Sequence, residues 1–248
     1  MIFLSILHQN SDVAAKIRNY WASKIPAELA PSRRAARALL HEMLTRDMNL
    51  RPDSYRLAQD KAGRPALESD EDIRLPAVSL THSDGWIACA AEIETTPAQP
   101  GAVGTIGLDL ELAKARRNHL ELARAAFGPR EMAAVQRGGR AAFYRIWTLR
   151  EAWSKAAGLG FAGVVDQRDR VPEGLLEADV TIPIIDTKGA WWSARPLPAL
   201  HLAIVSLRSA ASPLNDTENR STPQFHRCHV SPDLDLSGFS FVNFDHRL

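Results

Sequence analysis

The sequence predicts an α+β protein made of two similar lobes, a pseudo-duplicated arrangement. Three observations carry that expectation. Strand-like and helix-like runs are both present and neither dominates. Each half opens on a strand-like segment, continues through helical segments and closes on further strands. A stretch with Pro97, Pro100 and Gly101, residues 94–103, separates the halves. At 248 residues the chain can bury one large core or two smaller ones. The expected organisation is an N-terminal α+β lobe over 1–100, a C-terminal α+β lobe over 101–208 and a poorly ordered tail over 209–248.

Residues 2 to 7 read as a strand. Val13 to Trp21 repeats its apolar residues at helical spacing. Ser32 to Met48 is a stronger helix, with Ala35, Leu39, Leu40, Met43 and Leu44 on one side. Lys61-Ala62-Gly63-Arg64-Pro65 is a turn. Ala77 to Thr81 and Trp86 to Ile93 are two strands around a hairpin-type loop, His82-Ser83-Asp84-Gly85. Residues 104 to 112 form a strand. Helices are expected at Leu120 to Phe127, Pro129 to Val135 and Arg140 to Ala157. Strands are expected at Val180 to Ile185, Ala190 to Arg195 and Leu200 to Leu207. Beyond Ser209, polar residues dominate without apolar period, apart from a possible docking segment at Phe239 to Phe244.

The composition is 45% hydrophobic and 24% charged, with a formal net charge of +1. That balance gives no field favouring nucleic acid or an anionic membrane. The opening Met-Ile-Phe-Leu-Ser-Ile-Leu-His is too short and lacks the basic start of a signal peptide. No apolar run is long enough for a membrane span. Two cysteines, Cys89 and Cys228, make no disulfide framework and have no metal-ligand spacing along the chain. A cytoplasmic protein is expected.

Four constellations carry chemistry. In the strand Ile106-Gly107-Leu108-Asp109-Leu110-Glu111-Leu112, alternation puts Asp109 and Glu111 on one face, with Cα atoms roughly 7 Å apart. Such a pair suits a hard cation such as Mg²⁺, although a strand with one wet face has the same pattern. In the helix Arg140 to Ala157, Thr148, Glu151 and Lys155 line up opposite Ile146, Leu149, Trp153 and Ala156. Glu151 and Lys155 make either a surface pair or a third carboxylate with an ammonium beside it. Ser79-Leu80-Thr81-His82-Ser83-Asp84-Gly85 gathers donors that could hold a phosphate, or simply forms a hairpin. Arg33, Arg34 and Arg37, with Lys61 and Arg64, offer phosphate recognition or a solvated basic face.

Taken in order and spacing, these pieces resemble the phosphopantetheinyl transferases of the surfactin-synthetase-activating type. The family's Gly-x-Asp-x-Glu strand is matched by Gly107-Leu108-Asp109-Leu110-Glu111. Its downstream helix, Trp-[Ser/Thr]-x-Lys-Glu-[Ala/Ser]-x-x-Lys, is matched by Trp147-Thr148-Leu149-Arg150-Glu151-Ala152-Trp153-Ser154-Lys155. Its Ser-His-Ser turn corresponds to Thr81-His82-Ser83, and its Gly-Lys-Pro turn to Gly63-Arg64-Pro65. Its Arg before a Leu-Leu pair corresponds to Arg37-Ala38-Leu39-Leu40, and its Phe-x-x-x-Glu stretch to Phe127 and Glu131. The resemblance covers Arg33 to Leu207. It departs from the family at Arg150 and Thr81, which keep the charge and the hydroxyl, and before Arg33, where a Lys-rich helix is missing.

The resemblance implies a fold of two similar lobes with coenzyme A in the cleft between them. It implies a holo-acyl-carrier-protein synthase that moves 4′-phosphopantetheine from coenzyme A to a serine of an apo acyl or peptidyl carrier protein, releasing adenosine 3′,5′-bisphosphate. Asp109, Glu111 and Glu151 would hold Mg²⁺. Glu151 and Lys155 would be catalytic. Arg37, Arg64, Thr81, His82, Ser83, Asp109 and Lys155 would contact coenzyme A. Arg116, Arg117, Arg124, Arg130 and Arg137 would form a basic rim for an acidic carrier protein, and two internal lobes would let a monomer suffice. Two other readings remain: a non-catalytic member that binds coenzyme A or a carrier protein, and a Mg²⁺-dependent phosphohydrolase.

Overall fold

The computed structural model describes residues 1–93, 105–114, 116–166, 168–177, 184–185, 189–207, 224–236 and 239. The expected interlobe loop 94–103, and Val180 to Pro183 of one expected strand, lie outside them.

Alternation of apolar side chains builds two four-stranded sheets. The first has the order β10-β1-β5-β4, from β1 (Ile2–His8), β4 (Ala77–Ser83), β5 (Trp86–Glu92) and β10 (Phe225–Val230). In it β1 and β4 run antiparallel to β5, and β10 runs parallel to β1. The second has the order β6-β9-β8-β7, from β6 (Thr105–Leu112), β7 (Ile184–Ile185), β8 (Gly189–Leu197) and β9 (Leu200–Leu207), all antiparallel. A separate hairpin joins β2 (Arg56–Gln59) to β3 (Pro65–Glu68).

The two sheets bury their inner faces against each other. Ile2, Leu4, Ile6, Ala88 and Ala90 of the first meet Ile106, Leu108, Leu110, Trp192, Leu202 and Ile204 of the second. Helices cover the outer faces, as a sheet with two apolar faces requires. On the first sheet, α1 (Asp12–Tyr20) and α2 (Pro31–Glu42) pack over Phe3, Leu7, Ile87, Cys89 and Ala91. Ser11 caps α1 by accepting from the Ala14 amide, and Pro31 sits in the first turn of α2, where its missing N–H costs nothing. On the second sheet, the long α4 (Pro129–Ala157), preceded by α3 (His119–Ala126) and followed by α5 (Gly160–Asp166), packs over Trp191, Ala203 and Val205.

Three expectations need correction. The helix expected from Ser32 to Met48 ends at Glu42 and continues as a π-type turn, Met43–Asp47. The loop expected at His82 to Gly85 is only the two residues Asp84 and Gly85, because both take positive φ (45° and 88°), the geometry of a tight two-residue hairpin. His82 and Ser83 therefore belong to β4. The tail expected to be poorly ordered contains β10, and Leu234, Leu236 and Phe239 enter the core between the sheets. Phe225, Val230, Leu234, Leu236 and Phe239 are too unevenly spaced to show a period, yet each packs in the core between the sheets. Residues 209–223, 237–238 and 240–248, most of the expected docking segment Phe239 to Phe244 among them, lie outside the described ones.

A fully buried ion pair holds the C-terminal helices. Arg150 Nη1 donates to Glu131 Oε2 at 2.7 Å, Nε to the Val164 carbonyl at 2.9 Å and Nη2 to the Ala126 carbonyl at 3.0 Å. Glu131 also accepts from the amides of Gly128, Asp169 and Val171. Both side chains are sealed from water, so every one of these bonds matters to the fold.

Candidate functional site

The site forms where β6 passes beneath α4 and beside β4. Gly107 makes this possible. A Cβ there would lie 1.8 Å from the Ala152 carbonyl oxygen and 2.7 Å from the Ala156 nitrogen. The helix backbone thus rests directly on the strand, and Ala152 and Ala156, one turn apart, keep it there. Asp109 and Glu111 share the face of Gly107, so they emerge along the same helix, where Glu151 and Lys155 flank the contact. The Asp109 and Glu111 face that could have been merely wet is therefore covered, and Asp109 is buried.

Lys155 Nζ pairs with Asp109 Oδ1 at 2.6 Å and donates to the Leu108 carbonyl at 3.0 Å. Strand β4 supplies the other wall. Ser79 Oγ accepts from the Leu108 amide at 2.9 Å, and Ser83 Oγ accepts from the Leu112 amide at 3.2 Å. These bonds tie the first sheet to the edge of β6. The Thr81 hydroxyl donates to Asp109 Oδ1, and the Ser83 hydroxyl to Glu111 Oε2, each at 3.2 Å. In this structure Thr81 and Ser83, expected to contact a phosphate, orient the two carboxylates.

The electrostatics are those of a site short of positive charge. Burial first, then Asp109 and Glu111, raise the Glu151 carboxyl to about 7, with Lys155 opposing. Burial and Asp109 also push Glu111 up. Lys155 is the ammonium on Asp109, Arg117 and Lys114 act on Glu111, and Asp109 Oδ2 is buried without a hydrogen-bond partner. An orphaned carboxylate oxygen among hard oxygen donors fits a Mg²⁺-like ion. The fit is one of donor type and charge. Asp109, Glu111 and Glu151 do not bring their oxygens together as closely as 4.8 Å, whereas Asp47, His226 and Cys228 do so elsewhere.

The basic residues divide. His82 projects from β4, and lost hydration, then Arg33 and Lys155, hold its pKa below the ordinary value. Arg33 and Lys155 thus both bring positive charge to His82. Arg37, expected at a nucleotide, lies on α2, where its charge reaches His41 within the first lobe. The sequence marks Arg33 only as part of a basic run. Its place one turn before Arg37 on α2 was the available signal, but the sequence does not say which turn faces β4. Arg64 reaches from the β2–β3 hairpin to the end of α4. It pairs with Asp60 at 2.6 Å and donates to the Ala156 carbonyl at 2.7 Å. Of the expected basic rim, Arg130 donates to the Asp169 carbonyl, Arg137 pairs with Glu177 and Arg117 lies 3.9 Å from Glu111. Much of that charge is therefore answered within the chain.

Residues 105–180, which include both motif stretches, match the model of the 4′-phosphopantetheinyl transferase superfamily. A Synechocystis protein named "Putative 4′-phosphopantetheinyl transferase" is 28% identical over 135 residues, 53% of this chain and 51% of that protein. A Bacillus subtilis protein named "4′-phosphopantetheinyl transferase" is 26% identical over 141 residues, 53% of this chain and 56% of that protein. The chain spans about half the length of the curated relatives it matches. Among the described residues, no helix is long and apolar enough to cross a membrane.

Proposed function

We propose that this protein is a phosphopantetheinyl transferase of the surfactin-synthetase-activating type. It transfers 4′-phosphopantetheine from coenzyme A to a serine of an apo carrier protein and works as a monomer in the cytoplasm. The two sheets with their helices are the two similar lobes of that fold, and coenzyme A lies between them. The observation that carries the reading is the Asp109, Glu111 and Glu151 cluster with Lys155, assembled by the direct contact of β6 with α4 inside the segment that matches the superfamily.

Asp109, Glu111 and Glu151 hold Mg²⁺, which when bound neutralises charge on the pyrophosphate of coenzyme A. Glu151 takes the proton from the carrier serine hydroxyl. The serine oxygen bonds to the β-phosphorus as the bond to the adenosine 3′,5′-bisphosphate oxygen breaks. Lys155 and His82 face the departing negative charge, and Arg33 adds to the same field. Thr81 and Ser83 fix Asp109 and Glu111. Arg64 holds the β2–β3 hairpin against the end of α4 and lines the nucleotide end. Arg37 serves that end from α2.

The test is the intact mass of an apo carrier protein after incubation with this protein, coenzyme A and Mg²⁺. One phosphopantetheine arm should be gained, and the gain lost with Glu151→Gln or with chelator. No gain across fatty-acid, polyketide and peptide carrier proteins, with coenzyme A still bound, would favour a non-catalytic binding protein. The intact acidic cluster argues against that alternative.

A further inference from the structure

A second cluster lies on the far side of the first lobe. The π-type turn Met43–Asp47 widens the end of α2, and the Met48 amide reaches back to the Met43 carbonyl at 3.1 Å. The turn sets Asp47 over edge strand β10. There His226 and Cys228, two residues apart, share a face. Cys228 packs at the margin of the helix-covered core, and the His226 ring meets Phe3 edge-on at 5.1 Å. One ligand atom each from Asp47, His226 and Cys228 falls within 4.8 Å of the other two, and all three residues are half-buried. Asp47 Oδ2 is buried without a hydrogen-bond partner. A buried carboxylate oxygen, an imidazole and a thiol that converge from two separate elements form a donor set for a cation.

We propose that Asp47, His226 and Cys228 bind a borderline-soft divalent transition ion, Zn²⁺ above all, which clamps the C-terminal strand to the π-turn. A sulfur and a nitrogen donor select Zn²⁺ over Mg²⁺, and three protein ligands leave a fourth, tetrahedral position for water. Burial and the Asp47 carboxylate hold the Cys228 thiol protonated without an ion. Binding therefore forms the sulfur–metal bond as the thiol proton leaves to solvent. The clamp has a structural purpose. Among the described strands β10 stands at one end of the first sheet, beside β1, so an ion that joins it to the turn after α2 fastens it at a second place.

The test uses the whole chain, stripped by chelator and titrated with Co²⁺. One equivalent should produce a thiolate-to-cobalt charge-transfer band that Zn²⁺ abolishes. Cys228→Ser should lack the band, His226→Gln should weaken Co²⁺ binding at least tenfold, and Cys89→Ala should retain both. Zn²⁺ should also slow amide exchange over 225–230 in the parent. A Co²⁺ spectrum without a thiolate band in the parent, or a band that persists in Cys228→Ser, would overturn the assignment. So would a Zn²⁺ effect on exchange that survives His226→Gln. A variant that does not fold leaves the parent spectrum and exchange to decide. Mg²⁺ binding at the carboxylate cluster gives no such band, so the two sites are read separately.

Discussion

Replacing Glu151 with Gln should stabilise the metal-free protein while abolishing transfer. Burial and the neighbouring carboxylates raise this carboxyl from 4.5 to about 7. A carboxyl raised by folding favours its protonated form. The stability it contributes is present below pH 4.5 and is lost as pH rises through 7. At 1.36 kcal/mol per unit, the full shift corresponds to about 3 kcal/mol by pH 8. Residual solvent screening reduces this to about 2 kcal/mol, a gain of roughly 4–8 °C in melting temperature for a chain of this size. Chemical denaturation in chelator at pH 5 and pH 8 is the assay. The parent should lose stability across that interval and Glu151→Gln should lose much less. Mg²⁺ should restore the parent at pH 8 and leave the variant nearly unchanged. Equal pH slopes, or a variant less stable than the parent at pH 8 in chelator, would refute the crowded-carboxylate account.

Removing Arg150 alone, as in Arg150→Met, should cost about 3–5 kcal/mol, because Glu131 is left charged and sealed from water, and urea unfolding measures the loss. Gly107→Ala should cost several kcal/mol and depress transfer, since its Cβ would meet the Ala152 carbonyl at 1.8 Å and push β6 from α4; thermal unfolding and the carrier mass assay report the two effects. Lys155→Met removes the one ammonium on Asp109 and should lower turnover about 100-fold or more while tightening Mg²⁺ binding, which calorimetry would show. Arg33→Ala should raise the KM for coenzyme A more than Arg37→Ala does, because Arg33 is the α2 arginine that acts on His82.

Most of the strand and helix pattern was legible because it rests on local alternation. Phe3, Ser5 and Leu7 face α1 and α2 while Ile2, Leu4 and Ile6 face the second sheet, and a period of two states that directly. The carboxylate pair was legible for the same reason. Its burial was not, because a strand with one wet face and a strand under a helix look alike until Gly107 is seen to touch Ala152 and Ala156. The π-turn at Met43–Asp47 escaped because its residues still fit helical spacing. The resemblance places Thr81 and Ser83 at coenzyme A, and only the fold shows their hydroxyls donating to Asp109 and Glu111.

The strand at Phe225–Val230 shows the deeper reason for the misses. It pairs in parallel with β1, more than two hundred residues earlier, and no property of Phe225-His226-Arg227-Cys228-His229-Val230 specifies that partner. The same remoteness hid Cys228. Spacing along the chain correctly gave it no metal-ligand pattern, because Asp47 reaches it only through the fold. Short-range motifs mark the candidate active site because Asp109 with Glu111, and Glu151 with Lys155, are each carried on one element. His226 and Cys228 also share one strand, but two donors without the remote Asp47 leave too short a pattern to mark a site. The two clusters therefore differ in how visible they are, and the one whose donors converge more closely is the one the sequence hides.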